Sequence, residues 1–285
     1  MIKIIVLVVS LFVGGGLGFY FDQYLNNIGL DILVGFLFFL AAIICIASLF
    51  FIILFLLTFF ENKNKERLYQ SPYFRRVLLA MDSLLFSLFN VKVKAHGKEL
   101  LSRLNQYVIV CNHRSNLDSL IIDKYLSSFP LSFITKDSLF KIPFVGKIIH
   151  GCAYVKLVRT DVNQEYVAFN KAINMLTRID KPLSIGIFPE GTRNKNNDEI
   201  NLLDFKPGSF HIAKKSNKPI VIMAISGSKK VNENLLFKRH IVYLEVLEII
   251  DPNEYKDKDV AFLADYARNK ITAYLKEKNN ESCTL

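Results

Sequence analysis

Charged residues are almost missing from the first 60 positions of this chain, where only Lys3, Asp22 and Asp31 occur. All other charged side chains of the 285-residue protein, which has 36 basic and 26 acidic residues and a formal net charge of +10, lie in 61–285. A soluble domain needs charged side chains on its surface, so a segment this poor in them is not expected to be one. The sequence therefore predicts a membrane segment, 1–60, followed by a basic soluble domain.

Cysteine is also scarce, and no known cysteine spacing is present. Cys45, Cys111, Cys152 and Cys283 are scattered, without disulfide or metal-ligand spacing, which predicts reduced packing residues. The five histidines form no ligand cluster, so no metal is expected. The chain has no Gly-x-Ser-x-Gly elbow, which argues against a serine hydrolase, and no nucleic-acid motif, so anionic lipid explains the positive charge better than nucleic acid.

Two uncharged stretches fill the membrane segment, 18 residues at 4–21 and 29 residues at 32–60. Each is long enough to cross a bilayer as a helix. The loop 22–31 has two acidic residues and no basic one, whereas 61–67 is rich in basic residues, so both ends of the hairpin are expected in the cytoplasm. The alternative for 4–21, which follows Lys3, is a cleaved signal peptide. We expect an integral membrane protein with two spans and its soluble domain on the cytoplasmic face.

Residues 61–90 are predicted to form a basic linker and an amphipathic helix. Ser71 and Pro72 are typical of a helix start, and apolar residues follow at helical spacing up to Leu88. The helix either docks on the domain core or lies at the lipid surface, with Arg75 and Arg76 near phosphates.

Residues 91–285 alternate between strand and helix patterns. The predicted strands are 91–95, 107–111, 183–188, 219–226 and 241–250, and the predicted helices are 117–125, 166–179 and 260–274. This alternation is typical of an α/β domain with a mostly parallel sheet flanked by helices. Ligands of such sheets bind beyond the carboxyl ends of the strands.

One such strand end is followed by the stretch Asn112–Asp118. Ser115 and Asn116 are good capping residues for the helix that follows, so His113 would lie at a strand end and Asp118 in the first helical turn. A carboxylate beside an imidazole fixes its tautomer and makes it a useful general base. A plain structural role is the alternative for this pair taken alone.

Three further stretches carry candidate binding residues. Phe188–Arg193 offers the carboxylate of Glu190, the flexible Gly191, the hydroxyl of Thr192 and the guanidinium of Arg193 within four residues. Lys136–Gly146 interleaves basic and apolar groups, as expected where an acyl chain enters beside anionic headgroups. Arg159 ends an apolar run, and Pro219 opens a strand.

Together these stretches resemble the glycerolipid acyltransferase family that contains the 1-acylglycerol-3-phosphate acyltransferases. His113 through Asp118 is similar to the family's histidine-x4-aspartate motif, Lys136–Gly146 to its second block, Phe188–Arg193 to its phosphate-binding block, and Pro219 with its strand to the fourth. The resemblance covers residues 90 to about 230.

The resemblance implies that an acyl group is transferred from coenzyme A or acyl carrier protein to a membrane lysophospholipid, most specifically to the sn-2 hydroxyl of lysophosphatidate. His113 would be the base and Asp118 its orienting partner. Arg193, Arg159 and Lys136 would hold the phosphate in a pocket that Glu190, Gly191 and Thr192 shape. No cofactor is expected beyond the acyl donor.

Three alternatives remain open at this point. The acceptor could be another lysophospholipid. A lipid hydrolase or thioesterase could use Ser115 or Cys111 as nucleophile. A protein without activity could bind anionic lipid.

Overall fold

The computed structural model describes residues 11–16, 28–158, 161–233 and 239–283, and the chain divides into two compact units, 1–60 and 61–285. In the first unit, residues 11–16 are helical and helix α1 spans Ile28–Thr58. Its part Ile32–Thr58 is long and apolar enough to cross a membrane. Large apolar side chains of this helix are exposed, as expected of a surface that a bilayer covers. The described residues thus include one candidate membrane helix near the N-terminus, while the predicted first span, 4–21, lies mostly outside them.

The second unit is built on a seven-stranded sheet. The strands are β1 Val91–His96, β2 Val108–Cys111, β3 Leu131–Lys136, β4 Val155–Leu157, β5 Ser184–Ile187, β6 Ile220–Ser226 and β7 His240–Ile250. Their order is β1-β7-β6-β2-β5-β3-β4, and neighbours are parallel except for the antiparallel pair β6–β7. The predicted α/β class with a mostly parallel sheet is confirmed.

Helices cover this sheet. They are α2 Pro72–Leu88, α3 Asp118–Tyr125, α4 Val145–Gly151, α5 Val162–Thr177, α6 Gly208–Ser216, α7 Lys229–Glu233, α8 Pro252–Tyr255 and α9 Val260–Cys283, with 3₁₀ helices at Lys98–Arg103 and Asp137–Lys141. Helices α5, α6 and α9 share one hydrophobic core with strand residues such as Val110 and Ile187. The central strands β2 and β5 are buried throughout, which explains why their sequences are almost wholly apolar.

The five predicted strands match β1, β2, β5, β6 and β7 to within one residue at each end. Strands β3 and β4 were not predicted. Ser132 and Thr135 interrupt the apolar run of β3, and β4 is only three residues long. Ser132 is nevertheless fully buried, because its hydroxyl donates to the carbonyl oxygen of Ala153 at 2.8 Å.

Helix α2 begins at Pro72 with Ser71 as N-cap, as predicted, and packs on α3 and α4. Arg75 lies on its buried face, forms an ion pair with Asp123, and donates to carbonyl oxygens at the end of α3, including that of Asp123 at 3.2 Å. The interpretation that places Arg75 near lipid phosphates is therefore wrong, since its guanidinium sits inside the protein. Arg76 is exposed, so a lipid contact there stays a prediction.

Candidate active site

Sheet topology brings the predicted motifs together. Strands β2 and β5 are parallel neighbours with Val110 opposite Ile187, and β3 lies on the other side of β5. The carboxyl ends of parallel strands meet at one edge of the sheet, where ligands of α/β proteins bind. The loop that carries His113 and the loop 188–193 therefore begin side by side.

His113 and Asp118 form the predicted pair. The Nδ1 atom of His113 lies 2.9 Å from Oδ2 of Asp118, and the Asp118 side chain is fully buried. The same oxygen accepts the backbone N–H groups of Arg114 at 2.6 Å and Ser115 at 2.7 Å, so three donors fix its position. Since a carboxylate only accepts hydrogen bonds, it selects the tautomer with the proton on Nδ1. Nε2 is then left as the basic atom, on a ring that is 20% exposed.

The turn between these two residues leads into helix α3. The helix begins at Asp118 with Leu117 as N-cap, one residue after the predicted start, so Asp118 lies in the first helical turn as predicted. The hydroxyl of Ser115 accepts the N–H of Leu117 at 3.2 Å, and the Ser115 side chain is fully buried. This non-helical turn lets the Asp118 carboxylate reach back to His113.

Asn112 holds the end of β2 against β6. Its side-chain amide donates to the carbonyl oxygen of Ile225 at 2.9 Å and accepts the N–H of Ile225 at 2.9 Å. Because a side-chain amide has the same donor and acceptor as a peptide group, it extends the β2–β6 pairing beyond Cys111. This buried pair fixes the backbone immediately before His113.

An aromatic wall supports the imidazole ring. The ring of Phe188 stacks on that of His113 with centroids 4.2 Å apart, and Phe133 stacks behind Phe188 at 5.9 Å. Gly186 makes room for this arrangement, because a Cβ atom there would lie 2.2 Å from the Phe133 ring. Phe188 thus limits the rotation of His113.

Glu190 has a different position from the one expected of a pocket residue. Its carboxylate is buried and accepts the N–H of His113 at 2.7 Å and that of Leu203 at 3.1 Å. Burial raises the pKa of Glu190, although these two hydrogen bonds oppose the shift. The Glu190 side chain therefore braces the backbone of His113, and its predicted part in shaping the phosphate pocket stays a prediction.

A cavity of about 620 Å³ opens in front of His113. Lys136, Gly191, Thr192 and Arg193 line it, and the phosphate binding expected of this set stays a prediction. Its apolar lining consists of Phe133, Ile134, Leu139, Leu157, Phe169, Ile187 and Phe188. Arg159 lies outside the described residues, so its expected phosphate contact stays a prediction.

Lys206, Gly208 and Ser209 are among the lining residues that sequence reasoning missed. A signal for them exists, since Lys206-Pro207-Gly208-Ser209 is typical of a basic residue just before a helix start. The residues between this run and Phe188–Arg193 have no apolar periodicity, so the sequence does not indicate that the two stretches lie close together.

The polar loop 194–201 is held in place on the site. Arg114 is buried and donates to the carbonyl oxygens of Asn196 at 2.7 Å and Asp198 at 3.3 Å. The N–H of Asn194 donates to the carbonyl oxygen of His113 at 2.8 Å. Glu199 accepts from the Ser226 hydroxyl at 2.7 Å. This loop is thus fastened to the ends of β2 and β6, and Arg193 directly precedes it.

No group of three or more His, Cys, Asp or Glu side chains suited to a metal ion occurs in the described part of the chain. The expectation that the reaction needs no metal stays a prediction.

Comparison with known proteins agrees with this geometry. Residues 92–226 match the family model Acyltransferase. The 1-acyl-sn-glycerol-3-phosphate acyltransferase of Haemophilus influenzae is 29% identical over 69% of this chain and 80% of its own length, and that of Escherichia coli K12 is 28% identical over 69% and 78%. The crystal structure of the 1-acyl-sn-glycerophosphate (LPA) acyltransferase PlsC from Thermotoga maritima is similar with a TM-score of 0.58 and 25% identity, covering 73% of this chain and 80% of that one. Residues 92–226 thus match the acyltransferase family model, and the chain is similar to 1-acyl-sn-glycerol-3-phosphate acyltransferases over about two thirds of its length.

Proposed function

We propose that this protein transfers a fatty acyl group from an acyl thioester to the sn-2 hydroxyl of lysophosphatidate, giving phosphatidate. The observation that carries the proposal is the shared cavity, which the His113 imidazole lines together with the cationic side chains of Lys136 and Arg193. A base for a hydroxyl and a clamp for a phosphate are what this reaction needs, because the thioester carbonyl is already activated. The names of the relatives support lysophosphatidate as acceptor.

In the proposed reaction, Nε2 of His113 takes the proton of the acceptor hydroxyl as its oxygen attacks the thioester carbonyl. The new C–O bond forms, the C–S bond breaks, and the imidazolium returns the proton to the leaving thiolate. Asp118 stabilises the imidazolium through its 2.9 Å contact with Nδ1. Positioned base catalysis of this kind contributes about 100- to 10,000-fold. The apolar part of the cavity, formed by residues such as Leu139 and Phe169, suits an acyl chain.

The hydrolase alternative requires a protein nucleophile beside His113, and the two candidates are poorly placed for this. Cys111 is fully buried, and burial raises the pKa of its thiol well above the ordinary value, which disfavours the reactive thiolate. Ser115 is fully buried, and its hydroxyl accepts a hydrogen bond from the Leu117 N–H. Direct attack by the lipid hydroxyl needs neither side chain.

We further propose that the protein is an integral membrane enzyme with two spans and that its catalytic domain works at the cytoplasmic face. The candidate membrane helix α1 and the basic residues that follow it support this placement. The acyl donor is then acyl-coenzyme A or the acylated acyl carrier protein, both of which are cytoplasmic thioesters.

The test is acyl transfer by detergent-purified protein, using a labelled acyl thioester and a panel of lysolipids. We expect the native protein to prefer lysophosphatidate and His113→Ala to lose nearly all activity. His96→Ala is the matched control, because His96 is exposed on β1, far along the sheet from β2. Preference for another lysolipid would favour the alternative acceptor, and equal inactivity of native and His113→Ala protein would favour lipid binding without catalysis.

A further inference from the structure

Three cationic side chains of the cavity have no hydrogen-bond or ion-pair partner among the described residues: Lys136, Arg193 and Lys206. Two buried arginines of the domain are, by contrast, satisfied by protein, Arg114 by loop carbonyls and Arg75 by Asp123. Glu165 is the acidic side chain lining the same cavity. The cavity therefore has an excess of positive charge that the described protein does not neutralise, which suits an anionic ligand.

Lys206 is fixed close to the Phe188–Arg193 stretch. Its N–H donates to the carbonyl oxygen of Pro189 at 2.9 Å. A Cβ atom added at Gly191 would lie 2.9 Å from Cε and 3.1 Å from Nζ of Lys206, so the ammonium group lies directly over the backbone of Gly191. Gly191, with φ of +70°, allows this close approach. The Lys206 ammonium thus lies beside Gly191, which is two positions before Arg193 in the sequence.

The start of helix α6 faces the same place. Gly208 and Ser209, the first two residues of this nine-residue helix, line the cavity. The N–H groups of Ser209 and Phe210 donate to the carbonyl oxygens of Lys206 at 3.1 Å and Pro207 at 2.9 Å, so this helix N-terminus offers a phosphate its partial positive charge. Ser209 gives an independent indication of a ligand: it is only 5% exposed, it lines the cavity, and its hydroxyl has no hydrogen-bond partner among the described residues.

We propose that Lys206, Ser209 and the N-terminus of α6 form, together with Arg193, a subsite for a phosphate ester. This inference rests on the proposed acyltransferase function and names residues that the four family stretches do not include. Both substrates carry phosphate, the acceptor as a monoester and the donor in its phosphopantetheine arm. The shared chemistry is a phosphate oxygen held by an ammonium group, a guanidinium group and a hydroxyl at the positive end of a helix.

The test compares Lys206→Met and Ser209→Ala with the native full-length protein in steady-state kinetics. Lysophosphatidate is varied at saturating acyl-coenzyme A in one arm, and acyl-coenzyme A at saturating lysophosphatidate in the other. Loss of a hydrogen bond to a charged group predicts a rise in KM of about 10- to 100-fold in one arm for Lys206→Met and about 10-fold for Ser209→Ala. Lys215→Met is the matched control, because Lys215 is an exposed lysine near the other end of α6.

A rise confined to the acceptor arm assigns the subsite to the acceptor phosphate, and a rise confined to the donor arm assigns it to the donor; either outcome upholds a phosphate subsite. Unchanged KM values in both arms, in a variant whose melting temperature matches the native protein, would overturn it. Inactivity of the native protein would instead count against the proposed function, so the two failures are distinguishable. Lys206 is exposed, so its replacement is expected to leave the fold intact.

Discussion

Replacing Asp118 by asparagine removes one negative charge beside the His113 imidazole and keeps the size of the side chain. At the observed 2.9 Å between Nδ1 and Oδ2, two unit charges at an effective dielectric constant of about 20 interact by roughly 6 kcal/mol. This value is an upper limit, since asparagine retains an oxygen that can accept the Nδ1–H group. Because each 1.36 kcal/mol or so corresponds to a factor of ten in rate, the limit is about 10,000-fold.

The loss is expected in kcat rather than in KM. In the proposed mechanism the His113 imidazole acts as a base and becomes charged only as the hydroxyl proton is transferred, so the Asp118 charge would stabilise the transition state and not the bound ground state. We therefore expect Asp118→Asn to lower kcat by about 100- to 10,000-fold, with the KM for acceptor changed little.

The assay measures the thiol released from acyl-coenzyme A at varied lysophosphatidate concentration. Asp204→Asn is the matched control, because the Asp204 side chain is 99% exposed and lies 3.5 Å from Arg268 rather than near His113. Melting temperatures of both variants show whether the fold is retained. A kcat within tenfold of the native value, or a change in KM alone, would refute the role assigned to Asp118.

Two further predictions concern buried carboxyl groups. Burial, assisted by the nearby Asp123 carboxylate, raises the pKa of Asp82 from 3.8 to about 8. The folded protein then keeps a proton that the unfolded chain releases above about pH 4, so stability should fall from about pH 4 to about pH 8. The Asp82→Asn variant should show a smaller fall in melting temperature over this pH range. An unchanged fall would contradict the raised pKa of Asp82. Glu190→Gln should lower the free energy of unfolding by about 1–3 kcal/mol in denaturant unfolding. The two Glu190 oxygens accept the N–H groups of His113 and Leu203, and the NH₂ group of glutamine would leave one of these donors without an acceptor. Native-like stability would show that the carboxylate is not needed to hold the His113 backbone.

The strands that sequence reasoning found are those whose residues are either all apolar or strictly alternating. Strand β2 is buried at every position and β1 alternates between half-buried and exposed positions, so each carries a clear period. Strand β3 has no such period, because Ser132 is buried through a hydrogen bond that only the tertiary structure supplies. The interior position of such a residue depends on a partner distant in the sequence, which local patterns do not show.

The candidate site was predictable where its residues belong to contiguous motifs, and less so where distant segments meet. His113 and Asp118 are five positions apart, and their pairing follows from a strand end joined to a helix start. Lys206 enters the cavity because its backbone bonds to Pro189, seventeen positions earlier, across a polar loop. Arg75 shows the converse error: an arginine on an amphipathic helix suggested lipid contact, whereas a buried carboxylate accepts its charge.

The conformation of Gly191 explains how Glu190 and Arg193, two residues of the Phe188–Arg193 stretch, face different directions. The N–H of Gly191 donates to the carbonyl oxygen of Phe188 at 3.0 Å, which closes a tight turn, and its φ of +70° reverses the chain there. Glu190, before the turn, points into the protein and braces His113, whereas Arg193, after it, lines the cavity. Any side chain at residue 191 would strain this backbone and displace Lys206, so this one glycine serves the placement both of His113 and of the cationic side chains at the cavity.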